Sequence, residues 1–135
     1  MRRKIWAITS FTMAVVFALG FLIHQVRAQN TDQPTAKVVE AEEIKLANGV
    51  AQGVIIYQAN GKPLSVTIRA NKGVIVCSHF DLKALESHNI AAASVQGIKS
   101  IDEALDSKVV YVNSLAEKLG VTPGMPVREA LGKMM

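Results

Sequence analysis

Cys77-Ser78-His79 is the stretch of this chain whose residue types and spacing could do chemistry. Cys77 is the only cysteine, and it closes the short apolar run Val74-Ile75-Val76. Ser78-x-x-Asp81 resembles a capping box, so Ser78 is expected to cap a short helix running from Phe80 to Ser87. Cys77 would then stand one residue before a helix N-terminus, where free backbone N–H groups and the dipole favour a thiolate. His79 could serve that thiolate as a base or as a neighbouring charge, which makes Cys77 and His79 the candidate catalytic pair. The same two side chains could also supply two ligands of a soft metal site. A third reading is architectural: a lone cysteine ending an apolar strand packs as a small buried hydrophobe, and a histidine beside a helix start is solvated. The architectural reading is the preferred one, with the reactive thiol and the metal ligand as its rivals.

Other candidates carry less. His88, in Glu86-Ser87-His88-Asn89, is expected in a helix-ending turn, with a partnership to Cys77 as the alternative. Arg128 could bind an anion at the last helix, but a first-turn arginine more often pairs with a neighbouring acid. His24 lies in the N-terminal segment. The chain has no phosphate-binding loop, no G-x-G-x-x-G after a strand, no H-E-x-x-H and no C-x-x-C, and it names no cofactor. A basic stripe with interleaved aromatics is also missing, which argues against nucleic acid.

The net charge of +4 does not change that conclusion. Arg2, Arg3, Lys4 and Arg27 all fall in the first 28 residues, which hold no acid; the other eleven bases are matched by the eleven acids. The positive charge therefore belongs to the N-terminal segment and implies no basic binding face. That segment has three parts: the cationic Arg2-Arg3-Lys4, an uncharged run from Ile5 to Ile23, and Val26-Arg27-Ala28 before a cut at Gln29. This is the layout of a secretory signal peptide. The run of 19 residues would also span about 28 Å as a helix, enough to cross a bilayer, so an uncleaved signal anchor is the alternative. Either way the basic flank stays inside, and the domain is expected across the inner membrane, periplasmic or secreted. Residues 29–36 (QNTDQPTA) read as a polar linker. Residues 37–135 are then the folded domain; with one cysteine it can form no internal disulfide, and so rests on its core or on oligomerisation.

The elements that must position Cys77 follow from punctuation. Asn48-Gly49, Asn60-Gly61 and Asn71-Lys72-Gly73 recur about every dozen residues, and Asn-Gly suits a two-residue hairpin turn. Leu64, Val66, Ile68 and Ala70 alternate with polar residues, as in a strand with one wet face. Val54 to Tyr57 and Val74 to Cys77 are apolar on both faces, while Val38 to Leu46 is weakened by Glu40, Glu42 and Glu43. The reading is a four-stranded antiparallel meander over residues 37–77. A sheet apolar on both faces needs cover on both, from helices or from another subunit. Beyond it, Ile90 to Ile98 and Val109 to Val112 suggest strands, and Ser100-Ile101-Asp102-Glu103 is a capping box. Leu115 to Leu119 suggests a helix closed by Gly120, Thr122-Pro123-Gly124 a type II turn, and Val127 to Met134 a last helix with Pro126 at its first position. The fold class is α+β: an N-terminal antiparallel β-meander followed by short alternating helices and strands.

Three blocks, in order, resemble the YunC-like family, the domain-of-unknown-function family numbered 1805. They are Gly73-Val74-Ile75-Val76-Cys77; Ala92 through Leu105 (AASVQGIKSIDEAL); and Gly120-Val121-Thr122-Pro123-Gly124-Met125 followed by Arg128-Glu129-Ala130-Leu131. The resemblance spans Glu43 to Met135. It implies a small α+β domain of bacteria and archaea whose N-terminal β region serves in tetramerisation, with no established activity. The chain departs from the family pattern in Ser78, where glycine is usual, in Pro126-Val127, where Ser/Thr-Gly is usual, and in its N-terminal segment.

The expectation is therefore an exported or membrane-anchored homo-oligomeric domain that binds a small ligand or a protein. The alternative is a small cysteine-dependent enzyme or redox or metal-binding protein using Cys77 with His79. Membrane contact is expected only through residues 5–23, if they are retained. N-terminal sequencing of the purified chain should return Gln29; an intact Met1 or Arg2 would instead identify the anchor.

Overall fold

A computed structural model describes residues 37–135. The expected signal segment (1–28) and linker (29–36) lie outside the described residues. Among the described residues, no helix is long and apolar enough to cross a membrane.

Six strands form one sheet in chain order: β1 (Val39–Leu46), β2 (Gly49–Tyr57), β3 (Pro63–Arg69), β4 (Gly73–Cys77), β5 (Ala91–Val95) and β6 (Tyr111–Val112). The first four pair antiparallel, as the Asn-Gly spacing predicts. All eight residues of β1 pair with β2 despite the three glutamates, because the backbone ladder is indifferent to which side chain it carries. β5 pairs parallel with β4, and this register requires a crossover connection, supplied by α1 (Leu82–Ser87). The strand expected at 90–98 is shortened to five residues, and that at 109–112 to two. The remaining helices are α2 (Ile101–Leu105), α3 (Ser114–Lys118) and α4 (Val127–Lys133). The architecture is α+β, with the meander first and short helices interleaved after it.

The register sorts the strands into two faces. One carries Ala51, Ile55, Val66, Ile68, Ile75, Ala93 and Val95, which join Ile101, Ala104 and Leu105 of α2 and Ala130, Leu131 and Met134 of the C-terminal segment in one core. Fully burying each large aliphatic side chain contributes about 1.5–3 kcal/mol. The helices approach closely because two strand positions lack a Cβ. A Cβ on Gly53 would sit 2.6 Å from Ile101 Cδ1, and one on Gly73 would sit 2.9 Å from the Ala91 carbonyl oxygen. Either contact is shorter than van der Waals separation, so alanine at these sites would push α2 off β2 or β4 away from β5.

On the opposite face, Val76 and Ala92 are buried outside that core. There α1 packs against β5 with Leu82 and Leu85 half-buried. Over β1–β3 the same face is open: Val39, Val50 and Ile56 are 54%, 49% and 40% exposed. The structure thus puts apolar residues on both faces of the sheet, as the sequence pattern predicts. At the start of the domain, hydrogen bonds from Lys37 and Tyr57 hold the Glu40 carboxyl below its usual range.

The joint between the two halves is Asn113, buried at 5% exposure. Its Oδ1 accepts from Ala92 N and Ala116 N, both at 3.0 Å, while its Nδ2 donates to Ile90 O at 2.8 Å and Leu82 O at 3.4 Å. One side chain therefore caps α3, extends the β5 ladder and ties down the start of α1 and the segment that leads from it into β5. Asn113→Ala would leave the buried Ala92 N–H of β5 unpaired and remove a helix cap, a loss of about 2–4 kcal/mol. Asn113→Asp keeps the acceptor but sets a carboxylate against two carbonyls, and should be at least as damaging. A urea-denaturation midpoint unchanged in both variants would contradict this role.

Candidate functional site

Cys77 is the last residue of β4, and β4 and β5 are the only parallel neighbours among the described strands. The loops leaving their carboxyl ends, Ser78–Asp81 and Gln96–Ser100, form one rim, the location where α/β sheets usually hold ligands. The backbone turns at once after Cys77, with Phe80 N donating to Cys77 O at 3.2 Å. That turn folds His79 back, and its Nδ1 lies 3.4 Å from Cys77 Sγ, the tautomer deciding which group donates. The structure thus brings the candidate pair together, with Cys77 6% exposed and His79 on the surface.

Three features set the limits of this pair. First, the cap is not Ser78. Asp81 caps α1, its Oδ1 accepting from Lys83 N at 2.8 Å and Ala84 N at 3.3 Å, and Ser78 lies in the turn. Serine and aspartate cap about equally well, and the turn that follows β4, closed by Phe80 N on Cys77 O, carries the chain past Ser78 before the helix begins. Cys77 is therefore four residues ahead of the cap, and the expected helix-end support for a thiolate has no geometric basis. Second, the recess beside Sγ, walled by Leu64, Val66 and Ile98, has a volume of only about 40 Å³. Liquid water occupies about 30 Å³ per molecule, so the recess has room for one water and no substrate group of size. Third, among the described residues no three His, Cys, Asp or Glu side chains converge as a metal site would require. Cys77 and His79 are two ligands without a third.

The other candidates are placed apart. His88 is the C-cap of α1, just before β5 begins, at the end of the parallel pair opposite to Cys77. Five residues of strand separate the two ends by about 13 Å, so His88 is no partner for Cys77. Arg128 pairs with Asp106 at 3.3 Å, both exposed, which is the ordinary reading of a first-turn arginine. The expected capping box at Ser100 forms in part. Ser100 Oγ accepts from Glu103 N at 3.1 Å, but the Glu103 carboxylate reaches Lys99 N rather than the cap residue's own N–H.

Sequence reading missed a different cluster. Glu43 is paired with Gln52, and Gln52 with Arg69, so the three lie in one row across β1, β2 and β3 on the open face. Val50 and Asn71 join them around an open cleft of about 370 Å³. The Asn48-Gly49 signal would have set Glu43 opposite Val54; the turn falls one residue earlier, at Ala47-Asn48 with Gly49 opening β2, and that shift puts Glu43 opposite Gln52.

With Cys77 this buried, iodoacetamide should modify it about ten-fold or more slowly in the native chain than after unfolding. Equal rates in the two states would show that the thiol is open.

Comparison with known proteins matches residues 76–134 to the family described as domain of unknown function DUF1805. The uncharacterized protein YunC of Bacillus subtilis (strain 168) is 35% identical over 74 residues, covering 52% of this chain and 73% of that protein. The crystal structure of a protein of unknown function from Thermoplasma acidophilum superposes with a TM-score of 0.65 at 26% identity, covering 72% of this chain and 93% of that one. The match to the family's residues runs from the end of β4 through α4, across the parallel pair and the Asn113 joint. This chain belongs to the DUF1805 family.

Proposed function

We propose that this chain is a non-catalytic, homo-oligomeric binding module, exported or anchored by residues 5–23, that assembles through the open face of its N-terminal sheet. The observation that carries the reading is the exposure of Val39, Val50 and Ile56 on one continuous face of β1–β3, where no helix of the described chain packs. Burying a fully exposed side chain of this kind contributes about 1.5–3 kcal/mol; these three are about half covered, so each has about half of that left to gain on association. The occupant favoured is a second copy. The face carries both signs of charge, Glu43, Lys45 and Arg69, which suits a surface that meets itself better than one that meets a strongly charged partner. The free edge of β1 is a poorer joint, because Glu40, Glu42 and Glu43 crowd it with like charge.

A second reading, a small cysteine-dependent enzyme or redox or metal-binding protein, is favoured by the 3.4 Å contact of Cys77 with His79 on the rim of the parallel pair. It ranks lower because the recess beside the sulfur admits only a water-sized group.

Ile56→Lys tests the first reading. Sedimentation equilibrium of the full-length chain in density-matched detergent should give an oligomer for the wild type. The variant should dissociate with a constant about 100-fold higher or more, with its circular dichroism unchanged. A wild type that stays monomeric at about 100 μM, well above the micromolar range of modest complexes, would reject the reading, as would a variant that associates normally.

A further inference from the structure

The row Glu43–Gln52–Arg69 has a symmetry that the open face as a whole does not. Strand pairing places an acid, a neutral amide and a base side by side at one level of the sheet, with Gln52 in the middle. Adjacent strands are about 4.8 Å apart, so the acid and base flank Gln52 at equal distances. Among the described residues neither Glu43 nor Arg69 has an ion-pair partner in its own chain. The apolar residues Val50, Val54 and Ile56 run along β2 through the same point, because they alternate with Ala51, Gly53 and Ile55 of the core face.

We propose that two copies stack these faces about a two-fold axis that follows β2 through Gln52, so that Glu43 of each copy meets Arg69 of the other. This inference rests on the oligomeric reading above and adds its geometry. Rotation about β2 exchanges the strands on its two sides. It superimposes the apolar spine of one copy on that of the other, sets Gln52 against Gln52, and closes two identical acid–base pairs. Flanking positions agree: Ala41 comes to face Thr67, and Val39 comes to face Ser65, since each lies level with Val54 or Ile56 on β2. A two-fold running along the row would instead put Glu43 on Glu43 and Arg69 on Arg69, which like-charge repulsion opposes. The cleft over the row gives the long Glu43 and Arg69 side chains room to reach across. These residues therefore select the axis, while the valines and Ile56 drive association.

The test uses the full-length chain carrying Gln52→Cys, joined by a bismaleimide shorter than the about 10 Å between packed sheets. The wild-type chain, with only buried Cys77, is the control. Gln52→Cys should cross-link to itself. Adding Glu43→Arg or Arg69→Glu should lower the cross-linked fraction about five-fold or more, because each reversal creates two like-charge contacts. The double variant Glu43→Arg/Arg69→Glu should restore it, because reversing both partners regenerates both pairs. If Ile56→Lys dissociates the oligomer but the charge reversals leave cross-linking unchanged, this axis is wrong and the sheet-face reading stands. If each reversal weakens cross-linking and the double variant does not recover, the pairing is wrong in the same way. A chain that is monomeric, or whose assembly ignores Ile56→Lys, removes both proposals together.

Discussion

The second half of this domain depends on four hydrogen bonds made by one side chain. Asn113 meets α1, β5 and α3 at once. A primary amide is suited to this position because it alone offers two donors and a two-lone-pair acceptor in one plane. Ala92 N–H would otherwise be a buried orphan, since its neighbour β6 is too short to pair with it as a regular strand. The reciprocal bond from Asn113 N to Ala92 O, at 3.0 Å, completes what amounts to one further rung of ladder. With that rung in place, α1 is held at its start and just beyond its end, and the crossover from β4 to β5 has a fixed path.

Close packing then decides what kind of site the rim can be. β5 reads Ala-Ala-Ala-Ser-Val and is wholly buried, and Gly73 lets β4 lie tightly beside it under Met134. Small residues bring backbones together and leave little hollow between sheet and helices. The rim consequently places Cys77 and His79 in contact without enclosing a volume around them. On the open face the balance is reversed. There Val39, Val50 and Ile56 stay exposed, and the cleft over Glu43, Gln52 and Arg69 is open to solvent.

The amino-acid sequence made several elements legible because their signals are local. The Asn-Gly punctuation marks where the chain bends, so the four meander strands form close to where it puts them, although neither Asn48 nor Asn60 adopts the positive φ that a two-residue Asn-Gly turn uses. Gly120 and Gly124 adopt positive φ, at 83° and 85°, where a helix end and a type II turn require it. The nearness of Cys77 and His79 was legible as well, because a tight turn after a strand folds residue i+2 back. The identity of the cap was not. Ser78 and Asp81 both carry capping side chains, and the choice between them turns on where β4 stops pairing, which is set by β3 and β5 rather than by the local sequence.

What the sequence determined by itself is the set of periodicities and turn chemistries: an alternating meander first, short capped helices afterwards, a charge-balanced domain behind a basic and apolar N-terminal segment, and a lone thiol at a strand end. Tertiary structure decided the parallel pairing of β4 with β5, the burial of Cys77, the separation of His88 from it, and the assembly of Asn113 with partners up to 31 residues away. It also decided which face of the meander stays uncovered and which charges share a row on it. The division has a physical cause. Local signals act through backbone dihedrals and neighbouring side chains, whereas register, cover and buried hydrogen bonding join segments that meet only after the chain has folded.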